Sequence, residues 1–420
     1  MESLRKQSQK NAGAKPWIAV FDLNVTKNSP AGSCVLAEVL GLADEFDITV
    51  FSDAFDNDGT GRVRWVRVPL PRKPGFLRYM LFNLLAPRAL RKHIRQRGMP
   101  PALIQATQGQ FIGADICYAH FCHRAYLQHQ WEFQKAQGLR RLVRWITHHY
   151  NAQTERLSFL KAALVVSPSQ GLAGELAATY PFLKDRVCAI PNPVDAESFS
   201  RPEGFDRNPI LAQLGLPGEA RVLCFAALGD FSRKGLGLLL EALAGVDDQP
   251  VRLLVVGGNA GEIAEFTALA LHHDVAHRVV FAGFQSDVRP YFWASDLFVL
   301  PSLYETFALV VMQAMAAGTP AVVTRLHGVE EYAVHGENAW IVERTPDAVR
   351  AAIVDALSDK KRLQAARVAA SQTVSRYDSA HFVEAWRKCM HQTIATKHGG
   401  GTSAPEPFLV QMPAQIEHRI

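Results

Sequence analysis

Pro301-Ser-Leu-Tyr-Glu-Thr-Phe-Ala-Leu-Val-Val-Met-Gln-Ala-Met-Ala-Ala-Gly-Thr-Pro320 lies between the apolar runs Leu297–Leu300 and Ala321–Thr324. Within it, the 18 residues from Phe307 to Thr324 carry no charge and could be read as a membrane span on hydropathy alone. Gln313 and the Ala-Gly-Thr-Pro at 317–320 favour another reading. A helix that closes at Gly318, followed by a strand over Ala321–Thr324, accounts for the stretch as a strand–loop–helix–strand unit.

The same alternation extends in both directions. Strands are expected at Trp17–Leu23, Ile48–Ser52, Val63–Val68, Leu103–Thr107, Ile116–His120, Ala163–Ser167 and Val187–Ile190. A second series is expected at Val222–Ala226, Val251–Val256, Val279–Ala282, Leu297–Leu300 and Ala321–Thr324. Between strands the pattern turns helical, as where Leu236, Leu239, Leu240 and Leu243 share one face. Such alternation predicts parallel sheets covered on both faces. A polar, Pro-rich segment from about 191 to 217 divides the two series, so two α/β domains are expected. The organisation predicted is a flexible N-terminus at 1–15, domains at 16–195 and 196–378, a helix at 379–397 and a disordered tail at 398–420. Ligands of open parallel sheets bind beyond the carboxyl ends of the strands, so function is sought in the loops that follow them.

With 420 residues, 48% apolar and 20% charged, the chain can build two cores, and wholesale disorder is excluded. Residues 1–200 hold 25 Lys and Arg against 16 Asp and Glu, whereas residues 201–420 hold 20 against 24. The first half is therefore the more receptive to an anionic partner. The six cysteines lack metal-ligand spacing and sit in apolar runs, which predicts buried thiols in a reducing compartment. The first 16 residues contain no apolar core of a secretory signal, so a cytoplasmic location is expected.

Two stretches can carry chemistry. Gly229-Asp-Phe-Ser-Arg-Lys-Gly-Leu236 follows a strand and opens a helix. Arg233 and Lys234 there can clamp a diphosphate, with Gly235 permitting close backbone approach; the plain alternative is a solvated basic turn. In the second stretch a helix is expected near Ala308 with Thr306 as its cap, leaving the N–H groups of Phe307, Ala308, Leu309 and Val310 free for a phosphate. Glu305 would repel that phosphate and is better suited to accept hydrogen bonds from sugar hydroxyls, unless it only complements the helix dipole.

Together these stretches resemble the GT-B glycosyltransferases of retaining family 4. That family's signature places a Glu, seven residues, a second Glu, then a small-residue helix end and Gly-x-Pro. Glu305 matches the first position and Gln313 stands at the second. Ile190-Pro-Asn-Pro-Val-Asp195, Phe281-Ala-Gly-Phe284 and Ala294-Ser-Asp-Leu-Phe-Val-Leu-Pro-Ser302 are also similar to the family's pattern. The resemblance is clear from about 163 to 345. It implies the GT-B fold, with two Rossmann-like domains facing a cleft, and metal-independent, retaining transfer from a nucleotide-diphosphate sugar. The acceptor implied is a hydroxyl of a polysaccharide, glycolipid or similar molecule, with no cofactor and no nucleic acid involved. By the same resemblance His120, Arg233, Lys234 and Glu305 are the expected catalytic residues. Gly32, Gly235, Phe307, Ala308, Leu309 and Gln313 are the expected donor-binding residues, Gln313 at the ribose. His123 and Arg124 line the acceptor side or pack structurally.

Residues 62–97 hold 11 Lys and Arg and no acid, with Leu77, Met80, Leu81, Leu84 and Leu85 at helical spacing before Pro87 interrupts. Two readings stand: a helix on an anionic membrane surface, making the protein peripheral, or a domain helix with a solvated basic rim. Asp56-Asn-Asp58-Gly59 reads as a turn and not a metal site, and Gly257-Gly258 lacks dinucleotide-binding spacing. His148-His149 and His272-His273 lack ligand partners and are expected at the surface. Gln313 and Ala308 depart from the family pattern, which keeps a non-catalytic nucleotide-sugar-binding protein as the alternative. A nucleotide-sugar epimerase would need acid–base groups on both sides of the sugar, and none is evident.

Overall fold

The computed structural model describes residues 15–72, 74–133, 138–246 and 250–399. The expected flexible N-terminus and disordered tail fall almost wholly outside these residues. Seven strands form the first sheet: β1 (Trp17–Phe21), β2 (Asp47–Ser52), β3 (Arg64–Arg67), β4 (Leu103–Thr107), β5 (Ile116–Tyr118), β6 (Leu164–Ser167) and β7 (Val187–Ala189). Their order is β3-β2-β1-β4-β5-β6-β7, every pair parallel. Six strands form the second: β8 (Arg221–Ala227), β9 (Val251–Gly257), β10 (Val279–Gly283), β11 (Leu297–Leu300), β12 (Ala321–Thr324) and β13 (Ala339–Val342). They run β10-β9-β8-β11-β12-β13, again all parallel. β1, β11 and β12 are buried along their whole length, which is why these strands read as unbroken apolar runs. β13 was not expected from the sequence: Ala339-Trp-Ile-Val342 is four residues long and follows the polar His335–Asn338.

Seven helices bear on the site: α1 (Pro30–Leu42), α2 (Gly75–Arg97), α3 (Gly138–Lys161), α4 (Phe231–Lys234), α5 (Leu236–Ala244), α6 (Leu309–Ala316) and α7 (Ser379–Gly399). The uncharged stretch resolves as α6, a left-handed Gly318 and β12. Among the described residues, no helix is long and apolar enough to cross a membrane. Pro87 does not interrupt α2. Phe82, Ala86 and Leu90 are buried on either side of it, and that burial offsets the roughly 3 kcal/mol an internal proline costs. α2 ends instead at left-handed Gly98, whose N–H bonds Ile94 O at 2.9 Å.

The chain passes between the domains twice, and the two crossings are tied where Val194 N–H donates to Tyr377 O at 2.8 Å. α7 follows the second domain in sequence but completes the core of the first. Phe382, Trp386 and Met390 pack there with Val35 and Val39 of α1, and a Cβ on Gly41 would fall 2.3 Å from Val383 Cγ2. All six cysteines are buried and unpaired.

Candidate active site

In each sheet the strand order reverses beside its first strand, so the loops after β8 and β11 emerge side by side. These loops are the two stretches singled out in the sequence. Leaving β8, the chain turns at Asp230, held left-handed at φ 60°, where Glu262 Oε1 accepts the N–H groups of Asp230 (2.6 Å) and Phe231 (3.2 Å). One helical turn, α4, then presents Arg233 and Lys234, and Gly235 at φ 88° joins it to α5. A Cβ on Gly235 would lie 2.1 Å from Pro301 O, so only glycine allows the turn to press against the second loop. Leu303 N–H donates back to Arg233 O at 2.8 Å.

That contact brings both cations onto one carboxylate. Glu305 Oε1 receives Lys234 Nζ at 2.6 Å, Arg233 at 3.2 Å and Ser302 Oγ at 2.8 Å, while Oε2 takes none of these bonds. Arg233 also bonds Asp230 at 2.9 Å and the Tyr304 carbonyl. Burial alone would push the Glu305 carboxyl up, but Lys234 and Arg233 outweigh it and hold the group below its ordinary value. Burial pulls the Lys234 ammonium down, against the pull of Glu305. The expected phosphate-binding cations and the expected sugar-binding carboxylate are thus one hydrogen-bonded cluster.

The start of α6 closes the cluster on one side. Ala308 is left-handed at φ 53° and precedes the helix, and Thr306 does not cap it: its hydroxyl donates to His120 O at 2.9 Å. Among the described residues, the N–H groups of Phe307, Ala308, Leu309 and Val310 donate to no protein acceptor. A non-glycine residue at Ala308 costs roughly 1–2 kcal/mol. The strain is held by the Tyr332 hydroxyl, which donates to Phe307 O at 3.1 Å, and by left-handed Gly328, where a Cβ would fall 2.6 Å from Phe307 Cα. The Leu309 side chain packs on the cores of both domains. Gln313 is half-buried, and its side chain makes no hydrogen bond among the described residues. Gly32 sits in the first turn of α1, where its N–H is taken by Ser29 Oγ at 3.2 Å and a Cβ would overlap Asn24 O. Close packing against Asn24 by itself requires a glycine here.

His120 lies just past β5, on a loop stitched to the other domain. Besides the Thr306 bond, Ser169 Oγ donates to Thr306 O at 2.7 Å. Gln108, itself left-handed, grips the loop at both ends: its Oε1 accepts His120 N–H at 2.8 Å and its Nε2 donates to Phe121 O at 2.6 Å. Burial pulls the His120 imidazole down to about 3, so the ring is neutral at working pH, and its Nε2 is buried without a partner. His148 is not a surface residue. Its Nδ1 lies 3.0 Å from that of His123 and its ring stacks on Tyr126 at 4.7 Å, while Arg144 on the same helix reaches Asp230 at 3.0 Å across the cleft. Asp58 is in a turn with Thr60 and Arg62, and among the described residues no group of three or more His, Cys, Asp or Glu could hold a metal ion.

Glu155 was not anticipated. On α3 it reads as one acid in an amphipathic helix, yet it is buried and accepts the N–H groups of His123 (3.0 Å) and Arg124 (3.2 Å), Gln108 Nε2 (3.1 Å) and Tyr180 OH (2.8 Å). Burial pushes its carboxyl from 4.5 up to about 7, against these four donors. A folded-state value above the unfolded one means a contribution to stability that is full below pH 4.5 and lost as pH rises through about 7. Over that window wild-type protein is expected to lose up to about 3 kcal/mol relative to Glu155→Gln, measured by urea unfolding at several pH values. Parallel pH profiles for the two proteins would remove Glu155 as the source.

Paired parallel sheets with their functional loops at the strand-order reversal are the architecture of a GT-B glycosyltransferase. Residues 31–198 match the Glycosyltransferase Family 4 model and residues 219–359 the Glycosyl transferases group 1 model. Between them the matches cover both domains, and the chain belongs to the family 4 group of GT-B glycosyltransferases. It is 27% identical over 256 residues to an uncharacterized glycosyltransferase of Methanocaldococcus jannaschii, covering 59% of this chain and 64% of that one. Over 226 residues it is 34% identical to a D-inositol 3-phosphate glycosyltransferase of Catenulispora acidiphila, covering 50% of this chain and 53% of the relative. The chain thus spans between half and two thirds of the length of these relatives. HepE of Anabaena, solved in complex with UDP-glucose, has the same fold, with a TM-score of 0.70 at 18% identity over 90% of this chain and 100% of that one.

Proposed function

We propose that this glycosyltransferase moves a sugar from a nucleotide-diphosphate donor to a hydroxyl of a polysaccharide, glycolipid or similar acceptor, with retention of anomeric configuration. The observation that carries the reading is the Arg233–Lys234–Glu305 cluster beside the unbonded N–H groups of Phe307–Val310. A diphosphate fits between the two cations and those N–H groups, and Glu305 Oε2 is left to accept a sugar hydroxyl. As the nucleoside diphosphate departs, its growing negative charge meets preorganised positive groups supplied by the protein. Turnover is therefore expected to persist in a chelator. Glu305 is engaged by both cations and is a poor candidate for a covalent nucleophile, which supports attack by the acceptor from the face the leaving group vacates. His120, neutral and with Nε2 free, serves as a hydrogen-bond partner to the sugar or acceptor and not as a proton donor. The nucleotide-sugar donor is supported further by the UDP-glucose complex of HepE.

Gln313, placed one turn into α6 with its amide unbonded, is assigned to the ribose. Gln313→Glu is expected to strengthen binding of donor and nucleoside diphosphate alike by about 3- to 30-fold, because a charged acceptor makes the stronger bonds to ribose hydroxyls. Calorimetric titration checks this, and abolished binding would take Gln313 away from the ribose. The two departures, Gln313 and Ala308, also fit a protein that binds nucleotide sugars without transferring them. A panel of nucleotide sugars, followed for nucleoside-diphosphate release with and without acceptors, separates the readings: release supports transfer, and tight binding without release supports the binder.

A further inference from the structure

Helix α3 has two faces with opposite surroundings. Arg144, His148, Glu155 and Phe159 turn inward, toward Asp230, His123 and the first domain's core. On the other side Leu139 (75% exposed), Leu142 (52%), Val143 (48%) and Ile146 (41%) recur at i, i+3, i+4 and i+7, and Leu157 and Leu160 continue the stripe. Such a stripe ordinarily faces a core. Here its two ends face solvent, Leu139–Ile146 over about 10 Å of helix at 1.5 Å per residue and Leu157 and Leu160 beyond Tyr150, with exposed Trp145 and Phe133 near its start.

The exposed charges on α3 itself all have one sign, while one exposed acid, Glu132, stands beside Phe133 ahead of the helix. Arg141, Arg156 and Lys161 are exposed along α3, whose single acid is the buried Glu155. α2 packs against α3 where the rings of Phe76 and Tyr79 meet Tyr150 at 5.3 and 6.0 Å. It adds exposed Leu77, Leu84, Arg88, Arg91, Lys92 and Arg95, and contains no acid. We infer that α2 and α3 together form a docking face for an anionic bilayer, with the α3 stripe sunk among the acyl chains and the flanking cations on lipid phosphates. A second copy of the chain fits this face poorly, because a two-fold pairing would set like charges against each other. On this inference the basic segment meets the membrane, but with α3, not α2, supplying the apolar contact. Because Arg144, on the opposite face of the same helix, reaches Asp230 beside the cation pair, docking would hold the cleft about one helix diameter (~10 Å) from the bilayer, near a lipid-linked hydroxyl. That last step rests on the proposed transfer reaction; the docking itself does not.

The test is flotation of the full-length protein with vesicles of phosphatidylcholine alone, or of phosphatidylcholine mixed with phosphatidylglycerol. Wild type is expected to bind the anionic vesicles at least ~10-fold more tightly than the neutral ones, and less tightly as salt rises. Leu142→Gln with Ile146→Gln should lose at least ~10-fold, as should Arg88→Gln with Arg91→Gln and Arg95→Gln. Both variants should release nucleoside diphosphate from donor at wild-type rates with a water-soluble acceptor. Vesicle binding unchanged in both variants would overturn the inference. So would a wild-type dimer that the Leu142/Ile146 variant dissolves while neither protein floats, since the stripe would then serve self-association. Flotation as expected with no nucleoside-diphosphate release from any protein would support the docking face and count against the transfer reaction instead.

Discussion

Lys234→Ala is expected to lower turnover by ~10²–10³, the usual cost of removing one preorganised contact to a departing group. Lys234 is only 16% exposed and sits 2.6 Å from Glu305, so its ammonium is held in place before the donor arrives. Folding should survive, because Glu305 keeps Arg233 and Ser302 as partners. Stability should still fall by about 1–3 kcal/mol, since a half-buried charged hydrogen bond is lost. Initial rates of nucleoside-diphosphate release, read beside thermal unfolding, separate the two effects. A variant that is destabilised but turns over normally would remove Lys234 from the chemistry.

Glu305→Gln should divide the two halves of the donor. A neutral amide makes weaker hydrogen bonds to sugar hydroxyls than a carboxylate by about 1–2 kcal/mol, so intact donor should bind or react ~5–30-fold more weakly. The free nucleoside diphosphate should bind at least as well as to wild type, because it no longer competes with Glu305 for Arg233 and Lys234. The unliganded variant should be less stable, because Lys234 loses its carboxylate while Arg233 keeps Asp230. Adding the nucleoside diphosphate should therefore raise its Tm more than it raises that of wild type. Equal losses for donor and nucleoside diphosphate would contradict this division of the site.

The parts legible in the sequence are those written in local pattern. Buried parallel strands leave apolar runs, and the loops after β8 and β11 carry Arg233, Lys234 and Glu305 in contiguous motifs. What escaped depends on contacts between distant segments. Gln108 reads as part of a polar Gln-Gly-Gln turn, yet its side chain holds the backbone of residues 12 and 13 positions further on. Glu155 and His148 look like polar positions on an amphipathic helix, and only the packing of α3 on the His123–His129 helix turns them inward. Pro87 signals a break that tertiary burial overrides. Thr306 has the chemistry of a cap but spends its hydroxyl on the opposite domain. The ion pairs between Glu305 and the two cations could not be foreseen from spacing, because Lys234 and Glu305 are 71 positions apart.

The central claim is that two cations receive the leaving group while Glu305 holds the sugar, so the acceptor attacks from the vacated face. The most direct measurement is the anomeric configuration of the first product formed from a single nucleotide sugar, read by NMR from the coupling of its anomeric proton. The account predicts that an α-linked donor yields an α-linked product. A β-linked product would contradict it, because inversion needs a base on the opposite face of the sugar, a position to which the cluster assigns no group.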